Sequence, residues 1–360
     1  MELILEWRDI FGVSVLVVGA AVIVGAAFGW LGERSDYCAR SAYDELLAGN
    51  HVGLRRKPNQ LWQLSLASVT AMAGVFLAQG LGWINIDDAP LAGSSLNLCG
   101  LFVGTYMFGV GMGLSRGCIS RLVVLTGRGN IRALTTLVFT ALFAWTSISG
   151  VLALPRVYMS GIVQVELPAE ISHLMIVLWI VLLLAIAGLA LRRGGPDQIV
   201  RRTGLALAIG LLVPTCFFIT SSIGADDFEP VLVEGLRFTG PIADTLGYLV
   251  YSTAFAPKFG VGLIFGALAG AAASAALAGR TKIEGFANAP HPLSYITGAF
   301  FMGFGGVLAG GCTVGWLLSG ASVLNGGVLI AFVGFMAGNF SLRLRTFSGF
   351  LNRQAVPTRV

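Results

Sequence analysis

Residues 106–130 read YMFGVGMGLSRGCISRLVVLTGRGN, and residues 300–326 read FFMGFGGVLAGGCTVGWLLSGASVLNG. Superposing Cys118 on Cys312 aligns Gly109 with Gly303, Gly111 with Gly305, Leu114 with Leu308 and Gly117 with Gly311. A one-residue shift then brings Thr126-Gly127 onto Ser319-Gly320. Each copy carries repeated glycines, a Gly-Cys pair, a short apolar stretch, a Gly/Asn turn and a further apolar run. Glycine permits close helix approach and non-helical backbone. Two such segments predict two helices broken at a cysteine, each belonging to a hairpin. Inside a membrane, broken backbone is tolerated only where protein or a wet cavity receives its polar groups.

The rest of the chain makes a membrane the expected surrounding. Of 360 residues, 56% are hydrophobic and 11% charged, and the mean hydropathy is +0.82. A soluble domain of this length needs far more charged surface. Apolar runs of about 20 residues, each able to cross a hydrocarbon core of about 30 Å as a helix, fall at roughly 10–31, 61–83, 98–117, 132–153, 171–191, 203–222, 259–279, 292–311 and 327–342. The expected fold is therefore all-α and polytopic, with about nine transmembrane helices in one integral membrane domain over 1–360. Its pseudo-repeats are expected at about 61–153 and 259–345. The opening MELILEWRDI lacks a basic region and a small-residue cleavage site, so no cleavable signal peptide is expected. No P-loop or nucleic-acid motif is found, and no nucleic-acid partner or cofactor is expected.

Charge predicts orientation. With the N-terminus outside and each run crossing once, the segments 32–60, 116–132, 192–203, 279–291 and 340–360 face the cytoplasm and hold 19 of the 23 Lys+Arg. The other side keeps Arg8, Arg156, Arg237 and Lys258. That bias follows the positive-inside rule and implies a periplasmic N-terminus and a cytoplasmic C-terminus, in a bacterial inner membrane. The helix entering Cys118 then runs inward and the one entering Cys312 outward. Similar sequence in opposite orientation predicts inverted repeats, which set substrate sites near the midplane at discontinuous helices. The Arg55-Arg56-Lys57-Pro58 run is expected as an anchor beside the second span. Residues 223–258, with Asp226, Asp227, Glu229, Glu234 and Asp244, are expected as an outward connection resting partly on the headgroups.

The candidate chemistry is thiol chemistry. The five cysteines, Cys38, Cys99, Cys118, Cys216 and Cys312, form no CxxC and no metal-ligand spacing, and His51, His173 and His291 lie far apart. No metal site and no disulfide framework is expected. Cys99 and Cys216 read as small buried hydrophobes. Cys118 and Cys312 follow Gly117 and Gly311 and are expected to open short helices, whose free N–H groups and partial positive charge suit an anion. Arg116 and Arg121 flank Cys118 and have two readings, charges along a polar path or interfacial anchors. Cys38 lies in GERSDYCARSAYDELLAGN at the inner end of the first span, with Asp44 and Glu45 expected to face water. A thiol is a weak donor, and sulfur is a soft, polarizable acceptor. Such groups suit a ligand with an exposed sulfur atom better than a hard oxyanion. Weak sites in series also favour flux, because a passing ion must leave as readily as it enters.

At three places the chain resembles the YeeE/YedE family of sulfur transport membrane proteins, whose characterised members take up thiosulfate. They are Arg34–Cys38 with the acidic helix that follows, Gly109–Cys118 with Gly127–Asn130, and Gly303–Gly320 containing GGCTVGWLLSG. The resemblance implies an hourglass-like helical fold whose cysteine-bearing loops meet at a central constriction. It also implies a relay of S–H···S contacts that maps to Cys38, Cys118 and Cys312. Import of thiosulfate or a related small sulfur-containing anion is the leading expectation. The alternatives are a membrane sulfurtransferase forming a persulfide on Cys118 or Cys38, and a sulfur sensor meeting a cytoplasmic sulfur-handling protein through the helix after Cys38.

Overall fold

In a computed structural model, residues 12–47, 59–86, 88–93, 95–162, 164–166, 169–193, 196–225, 231–254, 256–286 and 292–354 are described. The Arg55–Pro58 run, His51, His291, and Asp226, Asp227 and Glu229 lie outside the described residues.

The chain is an α-helical membrane bundle. Its helices are α1 (Val13–Ser35), α2 (Ala39–Leu47), α3 (Asn59–Gly80), α4 (Leu98–Ser115), α5 (Ile119–Gly127), α6 (Ile131–Ser149), α7 (Ala153–Gly161), α8 (Ala169–Arg193), α9 (Pro196–Phe218), α10 (Thr239–Val250), α11 (Phe259–Leu277), α12 (Pro292–Leu308) and α13 (Gly327–Gln354). Wider π-type turns extend α9 over Ile219–Ile223 and occupy Gly315–Gly320. A ribbon of two three-residue strands, Ser95–Asn97 and Gln164–Glu166, pairs antiparallel beside α4. Among the described residues, seven helical segments are long and apolar enough to cross a membrane, and two shorter apolar helices, Pro292–Leu308 and Gly327–Leu342, coincide with the last two expected runs.

Glycine sets the packing. Helices immersed in lipid gain little from burying apolar side chains against one another, so close backbone approach and van der Waals contact take over. Gly25 and Gly29 of α1 touch the backbone of Leu263 and Ala267 of α11, while Gly262, Gly266 and Gly270 touch that of Val18, Val22 and Ala26. Residue numbers rise together along both helices, so α1 and α11 run parallel. By the same reasoning α3 and α9 are parallel, with Gly210 against Ala67 and Thr70 and Gly74 against Pro214.

The two glycine-rich helices meet reciprocally. A β carbon at Gly104 would lie 2.7 Å from the Gly305 carbonyl, and one at Gly305 would lie 2.7 Å from the Gly104 carbonyl. One at Gly111 would lie 2.7 Å from the Gly298 carbonyl, and one at Gly298 3.0 Å from that of Gly111. Numbers fall along α12 as they rise along α4, so these two helices are antiparallel. Each also packs on the second helix of the other segment. Gly109 rests on Phe335 and Asn339 of α13, and Gly303 rests on Thr140 and Ala144 of α6.

One expectation is corrected, and one segment gains detail. In the connection after α9, α10 buries Pro241, Ile242, Ala243, Thr245 and Gly247 against α6 and α11, while Leu249, Val250 and Tyr251 at its end are exposed. Asp44 and Glu45 do not simply face water. Asn339 Nδ2 donates to Asp44 at 3.1 Å, and the Glu45 carboxylate accepts from Gln60 N and Leu61 N at 3.0 Å each. Those amides are among the free N–H groups of the α3 N-terminus, where a carboxylate is stabilising.

Candidate functional site

One turn occurs three times. Asp36 (φ 54), Arg116 (φ 59) and Gly310 (φ 73) stand in the left-handed region, and each is two residues before a cysteine. The chain leaves one helix there and starts the next at Cys38, Cys118 or Cys312. Each cysteine carbonyl accepts the first bond of the new helix, from Ala42 N (3.2 Å), Leu122 N (2.9 Å) and Trp316 N (2.9 Å) respectively. Gly315 N also donates to Cys312 Sγ at 3.4 Å, so sulfur takes the place that an oxygen usually holds at a helix start. The second helix of each hairpin starts alike. Gly129 (φ 95) and Leu324 (φ 54) precede Asn130 and Asn325, whose side chains accept from Ala133 N and Gly327 N.

These turns bring together thiols that are far apart in sequence. Cys38 and Cys118 face each other with sulfurs 4.0 Å apart, about twice a disulfide bond, and Ser120 Oγ lies 3.2 Å from Cys118 Sγ. All five cysteines are free. Cys38, Cys118 and Cys312 are 4%, 0% and 1% exposed, and Tyr37, at 2%, lies within electrostatic range of all three. The three thiols and Tyr37 therefore share one buried neighbourhood that is closed to solvent in this conformation. Cys99 is half-buried, and Cys216 is buried on α9.

Charged groups stand beside it. Arg121 donates to Asp36 at 2.8 Å, tying α5 to the turn that carries Cys38. Arg128 approaches both Glu33 and Asp36 at 3.9 Å, and the fully buried Glu33 accepts from Arg280 (2.7 Å) and Ser274 (3.0 Å). A buried carboxylate needs that company, since desolvation alone costs several kcal/mol. Arg116, by contrast, is exposed, so only Arg121 of the two expected cations is held near the thiols. Gly117 has room, whereas a β carbon at Gly311 would meet the Trp316 indole at 3.2 Å.

A further ion pair adjoins Cys312. Arg237 donates to Glu234 at 2.5 Å, and a β carbon at Gly315 would lie 3.3 Å from Arg237 Cβ and 3.8 Å from Cys312 Sγ. Burial works against the Arg237 charge, but Glu234 outweighs it and holds the pKa above the ordinary arginine value. Burial pushes the nearby Asp244 carboxyl up, against the pull of Lys258 at 3.3 Å. A narrow recess opens at this pair, lined also by Leu91, Phe217 and Ser319. Sequence reasoning missed Arg237 and Tyr37. The available signals were the scarcity of cations on one side of the membrane and the position of Tyr37 next to Cys38.

Thiols from three separate turns, one buried phenol and flanking ion pairs can offer soft contacts and hydrogen bonds to a small anion. The sequence pattern of the sulphur transport family matches residues 34–341. Two relatives are both named thiosulfate transporter TsuA. The protein from Spirochaeta thermophila is 28% identical over 355 residues, covering 91% of this chain and 98% of that relative. The one from Escherichia coli K12 is 24% identical over 325 residues, covering 82% and 85%.

Proposed function

The chain belongs to the sulphur transport family, and from that premise we propose that it imports thiosulfate, or a closely related small sulfur-containing anion, past Cys312, Cys118 and Cys38. One observation carries the reading: the buried thiols of Cys38 and Cys118, which start helices after two like turns, face each other with sulfurs 4.0 Å apart, and a third turn of the same kind carries the buried Cys312. The relatives' names supply the substrate class. Soft, weak contacts suit a terminal sulfur and let it go again.

The protein acts as a carrier rather than an enzyme, with the N-terminus periplasmic, the C-terminus cytoplasmic and the membrane the bacterial inner one. The Lys/Arg bias supports that orientation. The antiparallel, reciprocal packing of α4 on α12 supports an inverted repeat, in which one hairpin opens toward each side. Because the thiols are sealed from solvent, transport requires the hairpins to part. A cytoplasmic sulfur-handling protein receives the imported anion on the inner side.

The test is uptake of radiolabelled thiosulfate by purified protein in liposomes. Cys118→Ala and Cys312→Ala each lower uptake at least tenfold while the protein stays folded and inserted. Uptake at the wild-type rate with both substitutions present refutes the role of these thiols.

A further inference from the structure

The Tyr37 hydroxyl is buried and has no hydrogen-bond partner. A buried phenol without a partner is costly, and such groups in a folded protein call for an explanation. Local structure supplies none: the Tyr37 amide is satisfied by Ser35 Oγ at 3.2 Å, so it is the side chain alone that is left over. Its surroundings are specific. Cys118, Cys38 and Cys312 all lie within its electrostatic range, and together they are three of the chain's five thiols. Tyr43 also has a buried hydroxyl without a partner, but its ring packs on Phe332, 5.4 Å between centroids, and of the three thiols only Cys118 bears on it electrostatically.

Thiosulfate has two unlike ends, a soft terminal sulfur and a sulfonate with three hard oxygens. Thiols answer the first and serve the second poorly. A phenol is the opposite, a hard O–H donor with a strong preference for oxygen. Hydrogen bonds to a charged acceptor are about twice as strong as neutral ones.

Resting on the proposed transport function, we infer that Tyr37 is a substrate-positioning residue whose hydroxyl donates to a sulfonate oxygen of the anion while the surrounding cysteines hold its terminal sulfur. The substrate supplies the acceptor that the protein itself does not offer to this hydroxyl. Division of labour between phenol and thiols sets specificity: sulfate offers no soft end to the cysteines, and an oxygen-free sulfur anion offers nothing to Tyr37. The hydroxyl keeps the anion's orientation as its sulfur passes from one thiol to the next.

Tyr37→Phe separates this role from a structural one, because the hydroxyl it removes bonds to nothing in the protein. Wild-type and Y37F protein are compared in liposomes with radiolabelled thiosulfate, and their melting temperatures are measured in detergent without substrate. The expected result is an apparent KM raised roughly tenfold or more, with the melting temperature unchanged or higher. Wild-type KM in Y37F overturns the inference and leaves thiosulfate transport standing. A lower melting temperature accompanying the raised KM also overturns it, since the hydroxyl would then serve the fold. Absence of thiosulfate uptake by the wild-type protein overturns both the transport function and this inference.

Discussion

The hairpin around Cys118 and the hairpin around Cys312 use one backbone design with different fastenings. Both break a glycine-rich helix, restart it at cysteine and begin their final helix with an asparagine cap. In the first, the sulfur meets another sulfur, and the loop is held to its neighbour by charge, through Arg121 and Asp36. In the second, the sulfur accepts from its own helix, and the loop is held by an aromatic wedge. Trp316 Nε1 donates to Ala309 O at 2.8 Å and the indole covers Gly311. Even the strained positions are exchanged. The first hairpin places Arg116 at its first left-handed turn and Gly129 at its second, while the second places Gly310 and then Leu324. The turn shape is therefore what both copies keep, and the means of holding it differ. Salt screens the first fastening, whose Asp36 is half exposed, and leaves the buried indole contact of the second unaffected.

The contrast breaks most sharply at the glycines before the cysteines. Gly311→Ala presses a methyl group against an indole fixed at both ends of its contact, and overpacking of that kind costs about 1–3 kcal/mol. Gly117→Ala meets its nearest neighbour at 3.7 Å and leaves stability nearly unchanged. Thermal melts of the two variants in detergent check the difference, and equal melting temperatures would erase the distinction between wedge and open turn.

A smaller effect is expected at the charged fastening. Asp36→Asn keeps a residue type that tolerates the left-handed turn but removes the partner of Arg121. Asp36 is half exposed, so screening limits the loss to about 1 kcal/mol. The loss shrinks as salt is raised. A melt series at low and high ionic strength reads it, and a salt-independent loss would show that charge is not what fastens the loop.

The smallest effect concerns strain. Arg116→Gly and Leu324→Gly each relieve a side chain held at positive φ, and glycine's greater freedom when unfolded offsets part of the gain. A rise in stability of about 0.5–1 kcal/mol is expected for each. Glycine that destabilises either site would mean that the side chain contributes more than its turn costs.

Much of the architecture was legible along the chain. Apolar runs marked the crossing helices, because a lipid core demands about 20 such residues wherever a helix passes through it. The Gly-Cys pairs marked both breaks. At Asp44 and Glu45 charge does not mean exposure, because the start of α3 needs an acceptor and Glu45 supplies it. The buried face of α10, which itself carries Asp244, was likewise not visible in composition.

The apolar runs, the two broken helices and the Gly-Cys pairs at the breaks follow from local sequence, since hydropathy, glycine content and helix starts act over a few neighbouring residues. Cys38, by contrast, becomes a candidate only through the family resemblance. Which groups surround the thiols was decided only in three dimensions. The meeting of Cys38 with Cys118 joins residues 80 positions apart and depends on how whole helices rotate against one another. Helices that are apolar on every side carry no stripe to announce their inward face. Their rotation is fixed instead by glycine contacts between distant helices, and these exist only once the bundle has assembled.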